Sequence, residues 1–170
     1  PHGAAEAHRG APLPAEEEAA RLAAGDPFAW RLSLDAAETA LAGRPLSFLE
    51  QGAGPGGEQG RVPADPAQSG GDIVLARKDV GVAYHLAVVV DDALQGVTHV
   101  IRGQDLFEAT HVQRLLQALL DLPTPTYRHH RLLTGPDGKR FAKRDKAETL
   151  RDLRARGVSA AELRAELGFE

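Results

Sequence analysis

The 170-residue chain contains no cysteine and no methionine. Without cysteine it can form neither a disulfide nor a thiolate metal site. The lack of methionine in a chain that opens at Pro1 leads to the expectation that this is part of a longer protein. There is no run of about 18 apolar residues to span a membrane. No basic segment followed by an apolar stretch opens the chain, as a secretory signal would. The expectation is therefore a soluble, cytoplasmic protein, monomeric by default. The apolar share of 42% is enough for one core, and the length suits one domain or a large part of one.

Charge is unevenly spread. The formal net charge is −4. Between Tyr127 and Arg156, however, ten Lys and Arg stand against four acids, Asp137, Asp145, Glu148 and Asp152. A basic block inside an acidic chain suggests a phosphate-bearing partner, nucleotide or nucleic acid. A solvated helix face is the plainer explanation. Here the block begins in the turn Gly135-Pro136-Asp137-Gly138 rather than on a helix.

The histidines give no metal site. His2 and His8 read as exposed loop residues, and His85, His99, His111, His129 and His130 are scattered without ligand spacing. His129 and His130 are adjacent in a predicted strand, so at most one of them can face a site.

Periodicity predicts the elements. Glu16–Ala24 reads as a short helix stopped by Gly25. Residues 28–34 alternate as a strand, with Phe28, Trp30, Leu32 and Leu34 on one face. Asp35 can cap a helix over Ala36–Leu41, and Leu46–Glu50 reads as a short strand. Gly52–Gly71 holds seven glycines and three prolines and reads as a mobile surface loop. It lacks the Gly-Lys-Ser/Thr of a phosphate-binding loop.

Strands are predicted over Asp72–Arg77, Val97–Arg102 and Tyr127–Leu133. Tyr84–Leu94 fits either a strand or a buried helix. Asp105–Leu120 carries an apolar stripe of Val112, Leu115, Leu116 and Leu119, and is the clearest helix. Lys146–Arg156 and a segment opened by the capping-box pattern Ser159-Ala160-Ala161-Glu162 read as closing helices. Strands separated by helices imply an α/β fold with a mainly parallel sheet, whose ligands sit at the carboxyl ends of strands.

Arg102 stands at such an end, followed by Gly103. It can offer a fork of donors to a carboxylate or phosphate, and an ion pair with Asp105 or Asp92 is the alternative. Tyr84 opens an apolar segment, where its hydroxyl can reach a ligand or simply complete the core. Lys139-Arg140-Phe141-Ala142-Lys143-Arg144 places four cations around one apolar pair, as charge stabilisation on a triphosphate requires.

Together these segments resemble the glutamyl-tRNA synthetase family of class I. The resemblance covers residues 72–167 and rests on Tyr84-His85-Leu86-Ala87, Val89-Val90-Asp91-Asp92, Gly96-Val97-Thr98 and Val100-Ile101-Arg102. Arg140-Phe141-Ala142-Lys143-Arg144 stands where the family carries its Lys-Met-Ser-Lys-Ser loop. Val88, where these enzymes usually have Asn, and Gly103-Gln104-Asp105-Leu106 point to the glutamyl-Q tRNA(Asp) synthetases within it. The short chain after Lys143, with no room for an anticodon-binding domain, points the same way.

The resemblance implies the second half of a Rossmann-like catalytic domain over 72–145. Before it comes a connecting region, 1–71, and after it C-terminal helices, 146–170. It implies ATP, with Mg2+, activating L-glutamate, and transfer of the glutamyl group to the queuosine of tRNA(Asp). Tyr84 and Arg102 would bind glutamate. Lys143 would bind ATP and stabilise the pentavalent phosphorus, and Asp105 would touch the ATP site.

The chain departs from the family pattern in three respects. Arg140 replaces the first Lys of the loop and keeps the charge. Ala142 replaces its Ser and removes a hydroxyl. The His-Ile-Gly-His-type motif, the early glutamate-binding residues and the cysteine-rich zinc site of many relatives have no counterpart here. The first half of the fold is therefore expected outside this chain, which alone would be catalytically incomplete. The other readings are a truncated glutamyl-tRNA synthetase that charges tRNA(Glu) and a non-catalytic RNA-binding synthetase fragment.

Overall fold

The computed structural model describes residues 10–79, 81–134 and 149–168. The chain divides into two compact units, residues 1–131 and 132–170. In the first, the order is α1 (Ala15–Ala24), β1 (Ala29–Leu32), α2 (Leu34–Ala40), β2 (Ser47–Glu50), β3 (Gly60–Pro63), β4 (Ile73–Arg77), β5 (Gly81–Val82), α3 (Tyr84–Gln95), β6 (His99–Gly103), α4 (Phe107–Leu119) and β7 (Thr126–His130). Single 3-10 turns precede β4, at Pro66–Ser69, and α4, at Gln104–Leu106.

The strands form two sheets. One is antiparallel, β1-β4-β5, and the other runs β3-β2-β7-β6. In the second, β2 pairs parallel with β7 and β7 parallel with β6, while β3 is an antiparallel edge. The expected α/β fold with a mainly parallel sheet is this four-stranded sheet. Its three parallel strands finish side by side, with Arg102 in register opposite His129 and Glu50 opposite Tyr127.

Tyr84–Gln95 is a helix. Gly96, with a left-handed φ of 68°, lets its N–H turn back onto the carbonyls of Asp92 and Ala93 and ends it. Within the helix Val89 is buried, and α3 packs on α4 and β4. The valine run thus serves helix–helix contact rather than strand pairing. The apolar stripe of α4 is as expected: Val112, Leu115 and Leu116 are buried, with Leu119 partly so. They join Leu34, Ala37, Leu46, Ile73 and Val89 in one core. A second core is aromatic and lies under the strand ends, made of Phe48, Val62, Phe107 and Tyr127. Phe48 sits edge to face with both Phe107 and Tyr127, at centroid distances of 5.8 and 5.5 Å.

Three local expectations are corrected. The strand β1 stops at Leu32. Leu34 begins α2, and the Ser33 hydroxyl, not the Asp35 carboxylate, caps it by accepting the Ala36 N–H. Phe28 and Trp30 remain substantially exposed because β1 is a sheet edge; they pack edge to face on each other. The Gly/Pro-rich segment 52–71 is not one featureless loop. Gly60, at φ 73°, starts β3, and Val62 pairs beside Phe48 in the aromatic core. One buried valine and a strand partner outweigh the local glycine content.

In the second unit, α5 (Leu150–Ala155) and α6 (Ala160–Glu166) each open with a complete capping box, Thr149 with Asp152 and Ser159 with Glu162. The second was expected. The first moves the start of α5 to Leu150, because Thr149 takes the cap position. Backbone and hydroxyl donors from each cap residue hold Asp152 and Glu162 below the usual carboxylate range. The turn at 135–138, the basic loop Arg140–Arg144 and Lys146 lie outside the described residues, as do His2 and His8.

Candidate active site

Three parallel strands deliver three side chains to one place. Glu50 is the last residue of β2, Arg102 lies next to the end of β6, and His129 next to the end of β7. The site therefore forms where a parallel sheet presents its carboxyl ends, the position at which such sheets bind ligands.

Glu50 is fully buried, and donors hold both its oxygens. Oε1 accepts the backbone N–H of Gly52 at 2.7 Å and of His129 at 2.9 Å; Oε2 lies 2.6 Å from Nδ1 of His129. Because a carboxylate only accepts, Nδ1 carries the proton. The other ring nitrogen, Nε2, is then an acceptor, and Nε–H of Arg102 donates to it at 3.1 Å. The arginine also donates from Nη2 to the Thr110 hydroxyl at 2.6 Å, and its guanidinium lies over the Tyr127 ring, 5.3 Å from the centroid. Tyr127 is in turn stacked on His129 with the ring planes 7° apart, and Gln117 donates to its hydroxyl. A further strap comes from Gln104, whose amide donates to the carbonyls of Ala53 and Gly54 and fastens the segment after β2 to the end of β6.

Burial governs the protonation of this cluster. It pushes the His129 imidazole below its ordinary value; the Arg102 charge adds to the shift and Glu50 opposes it. Burial also lowers His111 and His85, with Arg102 adding to the effect on His85. The lowered values favour the neutral form of all three groups in the fold, whereas the unfolded chain takes up a proton near the ordinary value of 6.5. The unfolded chain binds more protons in that window, so their contribution to stability is complete above about pH 6.5 and is lost as pH falls below it. The melting temperature is expected to drop between about pH 7.5 and pH 5.5. A thermal denaturation series in matched ionic strength checks this, and an unchanged melting temperature would contradict a neutral His129.

Arg102 is where the sequence pattern places it, next to the end of β6. Asp92, on α3, feels the Arg102 charge without forming an ion pair; burial raises its carboxyl and Arg102 pulls it back. Asp105 is exposed in the 3-10 turn after β6. Tyr84 is the first residue of α3 and is 54% exposed. No hydrogen bond or ring contact joins it to Arg102 among the described residues; its ring meets that of His85. The Nδ1 atom of His85 is buried with no hydrogen-bond partner among the described residues. Lys143, with Arg140, Phe141, Ala142 and Arg144, lies outside the described residues.

Sequence reasoning missed Glu50, Thr110 and the role of His129. A signal was present for two of them. Glu50 closes a predicted strand as Arg102 does, and the Tyr127/His129 alternation puts both rings on one face. Among the described residues no group of three or more His, Asp or Glu side chains is placed to hold a metal ion.

The family model described as the catalytic domain of class I tRNA synthetases (E and Q) matches residues 58–166, and the chain belongs to that family. The glutamyl-Q tRNA(Asp) synthetase of Rhodobacter capsulatus is 48% identical over 141 residues, which cover 83% of this chain and 49% of that protein. The enzyme of the same name from Symbiobacterium thermophilum is 50% identical over 104 residues, 61% of this chain and 32% of that one. Among solved structures, the glutamate-tRNA synthetase of Elizabethkingia anophelis superposes with a TM-score of 0.56 at 26% identity, covering 78% of this chain and 24% of that one. The chain spans about half the length, or less, of the curated relatives it matches.

Proposed function

We propose that the protein to which this chain belongs activates L-glutamate with ATP and transfers the glutamyl group to the queuosine of tRNA(Asp). The observation that carries this reading is Arg102. It is held at the carboxyl end of a parallel strand, with His129 and Thr110 on one edge and N–H groups remaining for a carboxylate. The names of two similar relatives support the choice of tRNA.

In this reading Arg102 binds a carboxylate of glutamate, and the Tyr84 hydroxyl reaches the same amino acid from the start of α3. A glutamate carboxylate oxygen forms a bond to the α-phosphorus of ATP as the bond to pyrophosphate breaks. Positioning and charge stabilisation lower the barrier, with no protein nucleophile. The resemblance of residues 140–144 to the family loop supports giving Lys143 the phosphates, and in this reading Asp105 touches the ATP site. ATP brings its Mg2+ as part of the substrate.

The test is an assay of the complete protein with ATP, glutamate and queuosine-containing tRNA(Asp), against tRNA(Glu). Glutamate appearing in the anticodon loop supports the proposal. Charging of tRNA(Glu) at its 3′ end would instead support a glutamyl-tRNA synthetase, a reading favoured by the likeness to glutamate-tRNA synthetase structures. Retention of the tRNAs with no turnover of either would leave an RNA-binding module. Lys143→Ala is expected to lower kcat for adenylate formation about a hundredfold, with KM for glutamate little changed. ATP–pyrophosphate exchange measures this, and an unchanged kcat removes Lys143 from the phosphate site.

A further inference from the structure

The guanidinium of Arg102 has two ways to present a pair of parallel N–H groups. One is the side formed by Nε and Nη2, the other the end formed by Nη1 and Nη2. The side is occupied, with Nε–H directed at Nε2 of His129 and an Nη2 N–H at the Thr110 hydroxyl. The end is left: among the described residues, no side chain or carbonyl takes the Nη1 donors. The Tyr127 ring lies below the group, its centroid 5.3 Å from the guanidinium carbon. Arg102 is thus aimed as well as located.

The aim depends on residues that are too deep to touch a ligand. Thr110, His129 and Glu50 are at most 2% exposed. His129 can accept from Arg102 only while its proton sits on Nδ1, and Glu50 keeps it there. Glu50 is itself immobilised by the N–H groups of Gly52 and His129. The order of donation therefore runs Arg102 to His129 to Glu50, across three adjacent strands.

We propose that Glu50, His129 and Thr110 are positioning residues that fix Arg102 for end-on, two-pronged binding of the substrate carboxylate, and so set the affinity for the amino acid. This rests on the reading of Arg102 as the glutamate-binding cation. The acidic residue works by polarity as well as by charge. In Glu50→Gln the side-chain oxygen can still accept the two backbone N–H groups, but the amide nitrogen then faces Nδ1 of His129. Nδ1 must become an acceptor, the ring proton moves to Nε2, and a donor confronts Nε–H of Arg102. The shape is kept while the relay is reversed. Thr110→Val likewise keeps volume and removes the acceptor for Nη2, and Thr110→Ser restores it.

The experiment is steady-state ATP–pyrophosphate exchange by the complete protein and its Glu50→Gln, Thr110→Val, Thr110→Ser and Arg102→Lys variants, with thermal melts for folding. Glu50→Gln and Thr110→Val are each expected to raise KM for glutamate about tenfold, the worth of one charge-assisted hydrogen bond. Their kcat and KM for ATP stay within about twofold of the parent, and Thr110→Ser returns KM for glutamate to the parent value. If Glu50→Gln does not fold, the Thr110 pair decides. Folded variants with an unchanged KM for glutamate, or with kcat and both KM values impaired alike, overturn the proposal. Should Arg102→Lys raise KM while the other variants leave it alone, positioning fails and the reading of Arg102 survives. Should Arg102→Lys leave it unchanged, the reading itself fails.

Discussion

Arg102→Ala is expected to lower kcat/KM for glutamate about a thousandfold. Truncating one partner of a buried, hydrogen-bonded charge pair costs roughly 2–5 kcal/mol, and each 1.4 kcal/mol is a factor of ten. Two effects add here. In the proposed reading the substrate carboxylate loses its cation, and the protein loses the donor that satisfies Nε2 of His129 and shares the Thr110 hydroxyl. Arg102→Lys is expected to recover only part of the loss, because an ammonium carries the charge without the planar fork. ATP–pyrophosphate exchange at varied glutamate measures the effect, and a melting curve separates it from loss of fold. A glutamate dependence equal to that of the parent would remove Arg102 from the amino-acid site.

Gly52→Ala is expected to destabilise the fold by about 3 kcal/mol or more. A Cβ at this position would lie 2.1 Å from the backbone oxygen of His129 and 2.8 Å from its nitrogen. Both contacts are with backbone of a paired strand, so no side-chain rotation relieves them. Relief requires moving the segment after β2 away from β7. That movement breaks the Gly52 N–H contact to Glu50 and strains the Glu50–His129 pair, whose charge-assisted bonds lie in a dry interior. The expected signature is a lower midpoint in denaturant with KM for glutamate raised together with it. A variant as stable as the parent would mean that the segment moves freely, against the tight approach seen here. Gly43, with nothing near its Cβ direction, offers a control for space; its φ of 72° still favours glycine.

Legibility followed the range of the forces. The α4 stripe, the Ser159 capping box, the Gly25 stop and the opposite facing of His129 and His130 each arise within a turn or a strand, and each was readable. The end of β6 was readable too, so Arg102 could be singled out before its neighbours were known. The errors also have local causes. Asp35 and Ser33 are both good caps, and only the start of α2 at Leu34 decides between them. The glycines of 52–71 conceal a strand whose single buried residue, Val62, has value only once Phe48 is beside it.

By itself, the sequence determined the α/β alternation, the family, and the arginine at a strand end. Tertiary structure alone decided what holds that arginine. Glu50 and His129 are 79 residues apart and meet only because β2 and β7 pair in parallel. No periodicity encodes such a pairing. It is set when the aromatic core closes under the strand ends, removes water from the carboxylate and the imidazole, and leaves each with the other as its partner.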